Sequence, residues 1–204
     1  MTLTGAAHDR LMRRGIRLEW ATNGWNAMEV VVTISLGLAA HSLALVAFGL
    51  DSLIEVFAST VVIVHLRRGS GADGRPPGRA LRLIAGAFFA LGAFLVVAGV
   101  RSLVIGTRPE ESPLGIAYLA LTAFVMFGLS IAKRQTARHL ESEPLHAEAA
   151  MTFLDGCLCV GILTALVLNL TLGWWWTDAL ATLVIAALAI REGNHSRLEA
   201  AEGT

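Results

Sequence analysis

Charge is what this sequence has least of. Only 16% of its 204 residues are charged, while 55% are hydrophobic and the mean hydropathy is +0.63. A soluble domain carries charge on about a quarter of its residues. The charges are also clustered, leaving long apolar runs, and this pattern excludes an ordinary soluble domain in favour of an integral membrane protein. Net charge of one sign is missing too: 16 basic residues balance 16 acidic ones, so no bulk electrostatic argument points to a nucleic-acid partner. There are two cysteines, Cys157 and Cys159, one residue apart in an apolar run. On a helix they point in different directions, so no disulfide framework is implied. A single lysine stands against fifteen arginines. The first twenty residues lead into a segment too long and too polar for a cleaved signal, and read as a cytoplasmic lead-in.

What is present is a set of apolar segments of about 20 residues, the length that spans a bilayer. Six are expected, at about 20–40, 43–65, 83–105, 114–132, 147–172 and 174–190. A lead-in, 1–19, precedes them and a short tail, 191–204, follows. The tail is too short for a further folded domain. Fourteen of the sixteen basic residues fall before span one, between spans two and three, after span four and after span six. The positive-inside rule then places both termini in the cytoplasm. The loop RRGSGADGRPPGR (Arg67–Arg79) reads as flexible. The tryptophans Trp174–Trp176 suit an interfacial anchor, and Asp178 behind them suits a cap on the last helix.

Against that background GLDSLIE, residues 49–55, is anomalous. Ionisable groups inside a span cost at least about 2.5–3.5 kcal/mol each. Asp51 and Glu55 lie about 8 and 12 residues into span two, Asp155 about 8 residues into span five, and Glu29 about 9 residues into span one. Four carboxylates on three helices are thus expected at one depth. Asp51, Glu55 and Ser59 share a helical stripe; so do Glu148, Met151, Asp155 and Cys159, and so do Thr22, Asn26, Glu29 and Thr33. Lipid satisfies none of these groups, so the stripes must face one another. Within the expected spans only Arg101 is basic, near an outer end. Either most of the acids are protonated or a cation occupies the site, and switching between the two couples cation binding to proton release. On this ground Asp51, Glu55, Asp155 and Glu29 are all candidate ligands, with Asn26, Met151, Glu148 and Cys159 beside them on the same stripes. For Glu29 alone, a purely structural pairing weighs as much as a role in the site; for Met151 and Cys159, packing weighs more.

SLALVAFGLDSLIE (Ser42–Glu55) resembles the second transmembrane helix of the cation diffusion facilitators. EWATNGWNAMEVVV (Glu19–Val32) and LNLTLGWWWTDALATLVIAALAIREG (Leu168–Gly193) are similar to the first, fifth and sixth helices of a small bacterial branch of that family lacking the cytoplasmic C-terminal domain. The resemblance implies an all-α membrane protein of six transmembrane helices that acts as a homodimeric carrier in the cell membrane, not an enzyme. Such a carrier holds no permanently bound cofactor. It exports a divalent cation, with Zn2+ favoured and Mn2+, Fe2+, Cd2+ or Co2+ as alternatives, in exchange for protons. It also implies that Asp51 and Glu55 pair with Asp155, and that the remaining ligand position falls on Met151. An oxygen-dominated set suits Mn2+, Mg2+, Fe2+ or Ca2+ as well. Two rival readings stand beside this one: a membrane subunit that binds metal without transporting it, and an exporter of small organic cations.

Overall fold

The computed structural model describes residues 5–67, 78–140 and 143–202. Most of the Arg67–Arg79 loop and the side chains of Ser59 and His65 lie outside the described residues. Six α-helices follow in order: α1 (Gly5–Ala39), α2 (Leu43–Arg67), α3 (Gly78–Ile105), α4 (Pro113–Leu140), α5 (Glu143–Leu172) and α6 (Trp176–Glu202), with no strand among the described residues. The shortest has 25 residues, about 37 Å at a rise of ~1.5 Å per residue, which exceeds the ~30 Å of a hydrocarbon core. Among the described residues, three stretches are long and apolar enough to cross a membrane by length and composition, at Arg82–Ile105, Pro113–Leu140 and Glu148–Leu172. The helices outrun the expected spans: α1 is helical from Gly5, α4 runs eight residues past Ala132 to Leu140, and α6 carries the tail through Glu202.

Local chemistry sets the helix ends at one end of the bundle. Ser42 accepts from the Leu45 amide (3.3 Å) and Ser112 from the Gly115 amide (3.2 Å), two N-caps, the second followed by Pro113 in the first helical position. Gly106 (φ 74°) and Gly173 (φ 67°) close α3 and α5 in the left-handed conformation that glycine adopts without strain. Three connections meet there. The Glu110 amide donates to the Ala40 carbonyl (2.7 Å), and Asn169 Nδ2 donates to the Pro109 carbonyl (3.2 Å). The Asp178 carboxylate accepts from the Ser42 hydroxyl, from the Leu43 amide (2.9 Å) and from the Ala44 amide (3.4 Å). Asp178 therefore caps α2 across the bundle; the cap expected on its own helix is not what it makes. Its place in the first turn of α6 turns it inward, 3% exposed.

The bundle turns many large apolar side chains outward and buries several polar ones within its hydrophobic core. Val104 (80% exposed) and Phe124 (78%) sit on the outer face, whereas Asn26, Glu29, Asp51, Lys133 and Asp155 are buried. Lipid accepts the first group and forces the second to find partners inside. α1 packs against α2 and α4, and α4 against α5; α3 pairs chiefly with α6. The α3–α6 pair touches α2 and α5 more thinly. Residues Leu45, Phe48, Leu95, Leu119, Ile162 and Ile185 fill the core between them.

Candidate cation site

The seam between the two helix groups holds a cavity of about 220 Å3. From α2 it is lined by Asp51 and Glu55, from α5 by Met151 and Asp155. The i, i+4 spacing on each helix puts both residues of each pair on the face turned to the seam. Asp51 and Asp155 are buried, at 7% and 9% exposure, and Glu55 is half-buried. Asp51, Glu55 and Asp155 thus share the lining of one cavity, where like charges would repel. Among the described residues no three His, Cys, Asp or Glu side chains converge closely enough to hold an ion as they stand.

The α1 stripe does not line the cavity but meets α2 beside it. Asn26 Nδ2 donates to Glu55 Oε2 (3.1 Å), and the Ser52 hydroxyl reaches Glu29 Oε2 (3.4 Å) as well as the Phe48 carbonyl (3.0 Å). Glu29 is 1% exposed, and its Oε1 is buried without a partner, as is Asn26 Oδ1. Thr33, one turn on, spends its hydroxyl on the Glu29 carbonyl (2.7 Å). Two orphan oxygens beside a carboxylate pair are costly to bury, and both are acceptors, which suits a proton or a cation.

Glu148 and Cys159 part from the pocket in different ways. Cys159 is fully buried in the hydrophobic core. Glu148 turns away, its Oε2 lying 3.9 Å from Lys133 Nζ. Lys133 itself corrects its expected place in a loop. Because α4 continues past Ala132, Lys133 is carried inside, 0% exposed, where Nζ donates to Glu19 Oε2 (3.0 Å) on α1 and to Thr152 Oγ1 (3.1 Å) on α5. Its charge also reaches Asp155, so a basic group that the span limits hid stands behind the acid pocket.

The sequence reading missed a third contributor. Arg191, Glu192 and His195 of α6 line the same cavity as the acids. They were assigned to a short tail, and the signal that could have found them is the i, i+3 spacing of Glu192 and His195, which continues the phase of the last span.

Comparison with known proteins addresses the latter part of the chain. No curated protein matches it. The profile of the cation efflux transmembrane domain matches residues 81–200, more than half of the chain. That stretch takes in Met151, Asp155, Glu192 and His195 and stops short of Asp51 and Glu55, which the cavity joins to it. The chain belongs to the cation efflux transmembrane domain family, the cation diffusion facilitators, and is a membrane transporter of cations.

Proposed function

We propose that the chain exports a divalent metal cation, Zn2+ first, in exchange for protons, and that Asp51, Glu55 and Asp155 are the groups over which the two compete. The observation that carries this is the placing of Glu55 and Asp155. They line one cavity with Asp51, and carboxylates gathered in one enclosed cavity are stable together only when protons or a cation offset their charge. Removing the protons leaves negative charges together in a pocket of low dielectric, and a divalent ion is the counter-charge that restores balance. Asn26 orients Glu55, while Glu29 is the next acceptor for a proton or a substitute ligand. Met151 offers a thioether where the family resemblance expects the fourth ligand. All six helices cross the cell membrane, with both termini in the cytoplasm by the positive-inside rule, and two copies associate through the helices.

The test is metal uptake into liposomes holding the purified chain, driven by an imposed pH gradient, with Zn2+, Mn2+ and a quaternary amine supplied in turn. Zn2+ counterflow against protons, lost in Asp51→Asn and in Asp155→Asn while both variants stay folded, supports the reading. Flux unchanged in either variant removes that residue from the site. A second reading, a metal-binding subunit that modulates another transporter, draws on the lack of three converged donors. Robust flux from the purified chain alone ends it. Transport of the amine in place of metal would favour the organic-cation reading, which the interfacial position of the tryptophans does not support.

A further inference from the structure

The cavity does not end at the acids. Along α6 it passes from Leu188 to Glu192 and His195, and while Asp51 and Asp155 are buried, His195 is exposed and Glu192 half-exposed. The cavity therefore runs from the surface, on the side of the chain's termini, inward to the carboxylates. At about 220 Å3 it has room for about seven waters at ~30 Å3 apiece, the size of a divalent ion with its inner hydration shell. Four of its lining side chains are acids and one, Arg191, is basic, so the balance of charge favours a cation. Glu192 is near enough to Asp51 to be felt electrostatically, which links the two ends of the cavity.

We infer that Glu192 and His195 form a first binding station for the transported ion, a carboxylate and an imidazole side by side at the mouth of the cavity, ahead of the Asp51–Asp155 pocket. Their i, i+3 spacing puts both donors on one face of α6, and the helix keeps them in place without a loop. The station supplies the nitrogen donor that the pocket lacks. Imidazole suits Zn2+, Co2+ and Ni2+, while carboxylates and water suit Mg2+, Ca2+ and Mn2+. The mouth thus selects ions that accept nitrogen before they shed their last waters, and the oxygen-rich pocket beyond it selects much less. This inference rests on the reading of Asp51, Glu55 and Asp155 as the transport pocket.

The experiment measures initial flux into liposomes with Zn2+ or Mn2+ presented separately on each face, an impermeant chelator covering the other. The parent, Glu192→Gln and His195→Ala are compared. His195→Ala raises the half-saturating Zn2+ concentration about tenfold from the face bearing the termini. It has little effect from the opposite face or on Mn2+, and maximal flux falls less than about twofold. Glu192→Gln weakens both metals from that same face. Half-saturation unchanged from the terminal face, or raised equally from both faces, overturns the inference. Should Asp51→Asn and Asp155→Asn leave flux intact, the pocket reading fails separately. Calorimetric Zn2+ titration of the purified Asp51→Asn/Asp155→Asn protein then decides for the station. A residual site removed by His195→Ala supports it, and the absence of such a site overturns it.

Discussion

Lys133 has no exposed surface, and side chains of three helices meet at its amino group. Glu19 from α1 and Thr152 from α5 satisfy its ammonium at 3.0 and 3.1 Å, with Glu148 behind at 3.9 Å. Removing one partner of a wholly buried pair costs about 3–5 kcal/mol. Glu19 is about a quarter exposed, so Lys133→Met is expected to cost about 2 kcal/mol, seen as a lower thermal midpoint of the purified protein in detergent. Glu19→Gln should cost less, because Glu148 remains to answer the charge. A stability unchanged in Lys133→Met would show that the network contributes nothing. Asp178 makes a parallel case: it accepts from Ser42 and from two amides at the start of α2. Asp178→Ala should lose about 1–2 kcal/mol, the worth of a helix cap, and loosen the Ser42 end of α2, measured as faster amide exchange at Leu43 and Ala44. Each role was hidden in the chain for a physical reason. Lys133 lies one residue beyond the point where hydropathy falls, and a cap supplied by another helix leaves no local pattern.

At the scale of elements, close approach holds the helix pairs together. A Cβ at Gly37 would stand 2.8 Å from the Val46 amide nitrogen, a backbone atom that cannot step aside, and 2.9 Å from Leu45 Cβ. Gly37→Ala should therefore force the α1–α2 turn apart at a cost of about 1–3 kcal/mol, read from thermal unfolding. The same substitution at Gly24 or Gly161, where a Cβ would meet nothing within 4 Å, should be neutral or slightly stabilising in a helix. Equal effects at the three positions would contradict this packing. Gly92 and Gly99 let α3 lie against Ile190 and Leu183 of α6 in the same manner. The helices themselves were legible in the sequence, because apolar runs of bilayer length declare themselves. Their far limits were not: beyond the hydrocarbon region the chain stays helical through polar residues, at the start of α1 and the ends of α4 and α6, where hydropathy carries no signal. The stripes on α1, α2 and α5 were legible as well, since buried carboxylates in greasy surroundings are conspicuous and their periodicity gives the face. Which face Glu148 would choose was not, because that choice rests on Lys133, a partner out of sight in the pattern.

At the scale of the whole molecule, two helix groups meet along a seam, and the acids sit where they meet. Transport by such a protein needs the seam to close on one side and open on the other, and the thin contacts of the α3–α6 pair with α2 and α5 make this the natural surface for that movement. The charge in the pocket sets what drives it. On the proposed reading, Asp51, Glu55 and Asp155 hold either protons or a divalent ion, and binding the ion displaces protons. The most direct measurement is the number of protons released as Zn2+ binds to the purified protein, found by calorimetry in buffers of different ionisation enthalpy. The account predicts release of at least about one proton per ion, together with severely weakened binding in Glu55→Gln and in Asp155→Asn. Tight Zn2+ binding with no proton released, or binding indifferent to both substitutions, would contradict it.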